Sequence, residues 1–205
     1  MQPFLHQRLQ ALAGLQAASS AMLAKYNRLD LDLAPALSAF LDQAVQGYRA
    51  LGLASAENRL LALQAQTVSA AQGTHPDTLE RVASHRRELQ RAVALRVLQH
   101  SAEQLRGDIE RDQRQLDDTR AQLRPMVLLA LQLGLVTLRG RQPPALARLE
   151  ALWRAMLAHP DLQLAARQLA MQASVHDVLL LLAGLVEAAR GSVPPRMAPP
   201  AQPAH

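Results

Sequence analysis

One stretch, residues 98–126, constrains most strongly what this chain can fold into. Leu98, Ala102, Leu105, Ile109, Asp112, Leu116, Thr119, Leu123 and Met126 follow one another at alternating spacings of four and three. At that period one stripe of an α-helix keeps returning to the same side and can pair lengthwise with another helix. Between the stripe positions lie Arg106, Asp108, Glu110, Arg111, Arg114, Asp117, Asp118 and Arg120. Pairs one turn apart, such as Arg106 with Glu110, favour helix slightly, and these charges are expected on a solvated face.

The same helix is expected to begin upstream. Gly73 suits the end of a preceding element, Thr74 or His75 a cap, Pro76 the first turn, and Asp77 the positive end of the helix dipole. At the other end Pro125 is expected to stop or kink it. Residues 76–124 as one helix would run roughly 70 Å, longer than a compact domain of this size is wide. Gly107 weakens its middle by about 1 kcal/mol relative to alanine. The seam therefore needs a cover, from the chain's own other helices or from a second molecule.

Composition supports an all-α reading, an elongated bundle with a long coiled-coil-like central helix and a part built of short helices. Hydrophobic residues make up 49% of the chain and aromatic ones only 2%, a balance that allows a real core and favours helix over sheet. Lys25 is the sole lysine among 22 basic residues; that arginine and alanine bias is what a GC-rich bacterial coding sequence produces. Cysteine is absent, which excludes disulfides and thiolate metal sites. Residues 1–23 lack the pattern of a secretory signal, because His6, Arg8, Gln10 and Gln16 interrupt them. The apolar runs 126–136 and 178–186 fall short of the roughly 20 residues a membrane crossing needs. A cytoplasmic protein that does not span a membrane is the expectation.

Taken in order, Leu5, Leu9, Leu12, Leu23 and Tyr26 predict a first helix. Pro35 opens a second, with Leu37, Phe40, Leu41, Ala44, Val45, Tyr48 and Leu51 on one face and Gly52 as its stop. Ser55 can cap a third through Leu60, Leu61 and Val68, and Gly73 closes it. After Pro125 the run 126–138 is apolar nearly all round and predicts an inner helix; a membrane-surface helix flanked by Arg139 and Arg141 is the weaker reading. A turn follows at Arg139, Gly140 and Arg141. Pro143 and Pro144 then restart the chain into a helix carrying Leu146, Leu149, Trp153, Met156 and Leu157. His159 and Pro160 break it, Leu162, Ala165 and Leu169 mark another, and Ser174 with Asp177 resembles a capping box before a last helix ending at Gly191. The implied organisation is an elongated part over 1–124, a short-helix bundle over 125–191 and a flexible Pro/Ala-rich tail over 192–205. The P-x-x-P spacing of Pro200 and Pro203 is a weak docking pattern.

Chemistry leaves little trace. No glycine-rich phosphate loop is present, and there is no strand from which a dinucleotide fold could start. The histidines do not form the Glu-x-x-His pairs of a carboxylate-bridged metal bundle; His100 with Glu103 is the nearest approach, in reverse order. No G-x-S-x-G turn marks a nucleophile, and His176 beside Asp177 does not face it on a helix. Neither a catalytic residue, a cofactor nor a metal ligand is assigned.

Charge patterning carries more. Arg81, Arg86, Arg87, Arg91 and Arg96 stand against Glu88 alone in the stretch 81–100, in a chain of formal charge +5. A basic end of this kind suits phosphate or an acidic partner, though no aromatic residues lie among the arginines to stack bases. The expected function is a non-enzymatic module, of adaptor, scaffold or chaperone type, that binds a protein or a second copy of itself. Its expected partner-binding seam is Leu98, Leu105, Ile109, Asp112, Leu116, Thr119 and Leu123, with Asp112 and Thr119 fixing register at a cost in stability. The alternative is a nucleic-acid-associated protein using the arginines.

Overall fold

In a computed structural model of the protein, residues 4–82, 84–135 and 145–191 are described. Among them the fold is all-α, with helices α1 (Leu5–Arg28), α2 (Leu33–Ala50), α3 (Ala54–Ala71), α4 (Arg86–Gln132), α5 (Leu146–Ala158), α6 (Gln163–Gln172) and α7 (Val175–Gly191). The chain divides into two compact units, Met1–Gln115 and Leu116–His205, and α4 passes from one into the other without interruption.

In the first unit α1 packs on α2 and α2 on α3, and the buried faces of all three share one apolar core with the first half of α4. The expected pattern of α2 is fully realised, since Leu37, Phe40, Leu41, Ala44, Val45, Tyr48 and Leu51 are all buried. Gly47 lets α1 and α2 approach closely, because a β-carbon there would lie 3.1 Å from Leu15 Cδ1. Gly52 and Gly73 follow α2 and α3 at φ of 69° and 78°, where a side chain would be strained. At the end of α1 the same left-handed position is held by a leucine: Leu29 has φ 64°, and the next N–H, of Asp30, reaches back to Lys25 O.

Two details of α3 differ from expectation. It starts at Ala54 behind Leu53, with no side-chain cap, so Ser55 does not cap it. Leu61 and Val68 sit on its exposed side rather than in the core.

The central helix begins ten residues later than its caps and proline suggested. Residues 74–82 form a tight excursion closed by an antiparallel bridge between Thr74 and Arg81, with Val82 N–H donating to Gly73 O. The cause is local competition for the backbone: His75 Nδ1 accepts from the N–H groups of Asp77 and Thr78, and Thr78 Oγ1 accepts from that of Glu80. Leu79 and His85 adopt positive φ, which no helix tolerates. Helical pattern resumes only with Leu89, Val93, Val97 and Leu98.

Pro125 neither stops nor ends α4, which runs on to Gln132. Both Pro125 and Ala121, whose carbonyl loses its N–H partner, are exposed, so water can satisfy that carbonyl. The apolar run after the proline is not buried all round either: Met126, Val127 and Ala130 are buried, whereas Leu128 and Leu133 are exposed. Residues 136–138 of that run, the turn at 139–141 and the Pro143–Pro144 restart lie outside the described residues, as does the tail 192–205.

In the second unit α5 packs on both α6 and α7. Leu149, Leu152, Trp153 and Met156 on α5, Leu169 on α6 and Val178 and Leu182 on α7 are buried. Ser174 caps α7 as expected: its Oγ accepts from Asp177 N–H at 3.0 Å, and it donates to Asp177 Oδ2 at 2.7 Å, a side-chain bond in place of the backbone return of a full capping box. Among the described residues no helix is long and apolar enough to cross a membrane.

Candidate functional site

The seam is covered by the chain itself. Leu98, Leu105, Asp112, Leu116, Thr119 and Leu123 are buried, and Ile109 is partly buried against the core of the first unit. A stripe already buried in one chain is not a free surface for a partner.

Within that stripe lies a polar cluster. Asp112, 1% exposed, takes a hydrogen bond and ion pair from Arg8 Nη2 of α1 at 2.7 Å. One turn earlier Asp108 accepts from Tyr48 Oη of α2 at 2.9 Å and pairs with Arg111 at 2.8 Å. The sequence placed Asp108 on the wet face; it is buried, and a tyrosine sixty positions away explains why. Burial raises the Asp112 pKa above the ordinary carboxylate value despite the opposing pull of Arg8 and Arg111. Burial, and next the charge of Asp108, likewise push the Tyr48 phenol up. Asp112 Oδ2 and Arg8 Nε are buried with no hydrogen-bond partner among the described residues. Arg8 of α1 and Tyr48 of α2 both bond to carboxylates of α4, so the cluster reads as architecture that aligns the three helices.

The basic stretch is dispersed by the fold. Arg81 belongs to the bridge with Thr74. Arg86 donates from Nη2 to Ala71 O and so covers the carbonyl end of α3, helped by Gln90 Nε2 at Ala70 O. Arg96 pairs with Asp77 at 2.7 Å, holding the Asp77 carboxyl below its ordinary pKa. Arg91 stands over the Tyr26 ring, its guanidinium carbon 5.5 Å from the centroid. Only Arg87 and Arg91 of the five line a common depression.

That depression is a groove of about 420 Å³ in the first unit, within the range of ligand-binding clefts. Three stretches of chain build it: the α1–α2 connection with the start of α2, the end of α3, and the first turns of α4. Its surface is largely apolar, with Leu33 and Leu37 from α2, Val68 from α3 and Val93 from α4. On its rim Leu29 is 57%, Val68 51% and Leu31 103% exposed. Exposed large aliphatic side chains gathered about one depression, rimmed by charge, are the pattern of a binding surface. Sequence reasoning singled out Arg87 and Arg91 but missed the groove, because it set Val68 with Leu60 and Leu61 on α3; the one further signal was Leu31, an aliphatic residue that fits no buried stripe.

A second depression, of about 490 Å³ in the second unit, lies among Gln122, Pro125, Met126, Leu162 and Gln168. Among the described residues no three His, Cys, Asp or Glu side chains gather as metal ligands would. Compared with protein-family models, with curated proteins and with solved structures, the chain matches none.

Proposed function

We propose that the protein is a non-enzymatic helical interaction module, of adaptor, scaffold or chaperone type, which takes a protein partner in the groove between α2, α3 and the first turns of α4. The observation that carries this reading is the set of exposed Leu29, Leu31 and Val68 around an apolar groove, in a chain whose long helix seam is already buried. The seam then supplies the rigid frame and the groove supplies recognition. The setting assigned in this reading is the cytoplasm.

Nucleic acid is the weaker alternative, because Arg86 and Arg96 are engaged within the chain and the two arginines that remain together border an apolar surface.

The test is selection of a helical peptide library on the full chain, with Leu31→Glu/Val68→Glu as the counter-selector. Both positions are exposed, so the variant is expected to fold. Peptides that bind the wild type with Kd below about 100 μM and lose at least about tenfold on the variant are expected. A selection that yields only peptides indifferent to the two substitutions overturns the groove as the binding surface.

A further inference from the structure

We infer that the groove is built for an acidic amphipathic helix of a partner protein, one that sets two carboxylates a turn apart beside its apolar anchors. The inference rests on the interaction-module reading and specifies the partner's chemistry.

The mode of recognition follows from the walls. Two are helices and the third is the α1–α2 connection running into the start of α2, and the only strand-like pairing among the described residues is the isolated bridge of Thr74 with Arg81. An extended peptide would find no sheet edge to join, whereas an amphipathic helix can lay its apolar face between helices. Ala34, Ala70, Ala71 and Ala94 on the lining leave room for an incoming backbone to come close. A free small anion would meet the arginines but leave Leu31, fully exposed at the rim, uncovered.

The charge follows from what the arginines already do. Arg86 is spent on the carbonyl end of α3, while Arg87 and Arg91 face the same groove, four residues and so one turn apart. Asp30 is the one acidic residue on the lining, against these two cations. Among the described residues neither arginine pairs with a carboxylate, whereas Arg8, Lys25, Arg49, Arg96, Arg111 and Arg120 do. The cation–π contact with Tyr26 favours this placement of the Arg91 guanidinium, which lowers the ordering cost of a bidentate pair with a carboxylate. Arg87 lies in the first turn of α4, where the helix dipole adds to its field. Two carboxylates at the same one-turn spacing on a partner helix would match Arg87 and Arg91 together.

The experiment uses the full chain and two synthetic helical peptides with identical leucine faces, one carrying a Glu pair one turn apart on the flank and the other a Lys pair. Fluorescence anisotropy is expected to show the Glu peptide binding at least about tenfold more tightly, an advantage that shrinks as ionic strength rises. Arg87→Glu with Arg91→Glu is expected to invert the preference; both side chains are exposed, and circular dichroism verifies that helix content is unchanged. Equal affinity for the two peptides, or preference for Lys, overturns the acidic partner while leaving the groove reading in place. If neither peptide's binding responds to Leu31→Glu/Val68→Glu, the groove reading falls as well. Tighter binding of an oligonucleotide that is lost on the same charge reversal overturns the inference in favour of nucleic acid. A dimer in solution that dissociates on charge reversal overturns it in favour of a second copy.

Discussion

Tyr48 gives its phenolic hydrogen to Asp108 Oδ2 at 2.9 Å in the interior of the first unit, joining α2 to α4 at a point where both side chains are buried. Removing the hydroxyl leaves a buried carboxylate oxygen without that donor, although Arg111 still holds the other oxygen. Tyr48→Phe is therefore expected to lower stability by about 1–3 kcal/mol in urea titration, more than its loss of one oxygen atom suggests.

The same pair governs behaviour at high pH. The folded pKa of Tyr48 lies above its ordinary value of 10.0, first because of burial and then because of the negative Asp108. What the neutral phenol contributes is therefore whole below that ordinary value and is lost as pH climbs beyond it. Ultraviolet titration should show one tyrosine ionising only together with the loss of the helical circular dichroism signal, and Tyr48→Phe should abolish that coupled phase.

Arg8 and Asp112 form an ion pair in which the carboxylate is 1% exposed and the guanidinium side chain 20%. Replacing both with apolar residues of similar volume, Arg8→Met with Asp112→Leu, is expected to leave stability unchanged or raise it, because two desolvated charges disappear together. Arg8→Met alone strands the carboxylate and should cost about 3–5 kcal/mol at neutral pH. Asp112's folded pKa is raised, so its protonated form is favoured by folding; the loss should shrink as pH falls through that raised pKa toward the ordinary 3.8. Melting temperatures of the three proteins across the acid range decide it.

Leu29 occupies a left-handed position with φ 64°, which is ordinarily a glycine position, and more than half its surface is exposed. Leu29→Gly should thus raise stability by about 1 kcal/mol. The same change removes an apolar contact from the groove rim and should weaken peptide binding there. Opposite signs in a denaturation curve and a binding isotherm, from one substitution, would identify a side chain kept for recognition at the expense of folding.

Pro125 stands exposed inside α4. Pro125→Ala restores a donor for the Ala121 carbonyl and removes the ring's steric conflict, so stability is expected to rise by up to about 3 kcal/mol. Thermal denaturation of the full chain measures it.

Helices with a regular apolar stripe could be read directly, as the burial of Leu37 through Leu51 on α2 shows. The start of α4 could not, because Pro76 and Asp77 fit a helix start as well as they fit a turn, and the contest was decided by the side chains of His75 and Thr78. Asp108 misled for a related reason. A charge beside a seam reads as solvated until its partner is known, and Tyr48 becomes that partner only through packing. The groove was hidden for the same cause on a larger scale: Leu31, Val68 and Arg87 come from three distant stretches, and nothing in the linear order announces that they meet.

Lys25, at the end of α1, is bound to Asp32 at 2.6 Å, beside the connection that forms one wall of the groove. As the chain's sole lysine, in a sequence without cysteine, it is the one side-chain amine open to acylation or reductive methylation. Chemistry aimed at amines thus falls, apart from the α-amino group, on a single position next to the groove. An isotopically labelled dimethyl group there would give one resonance, and its shift would report occupancy of the groove without any engineered residue.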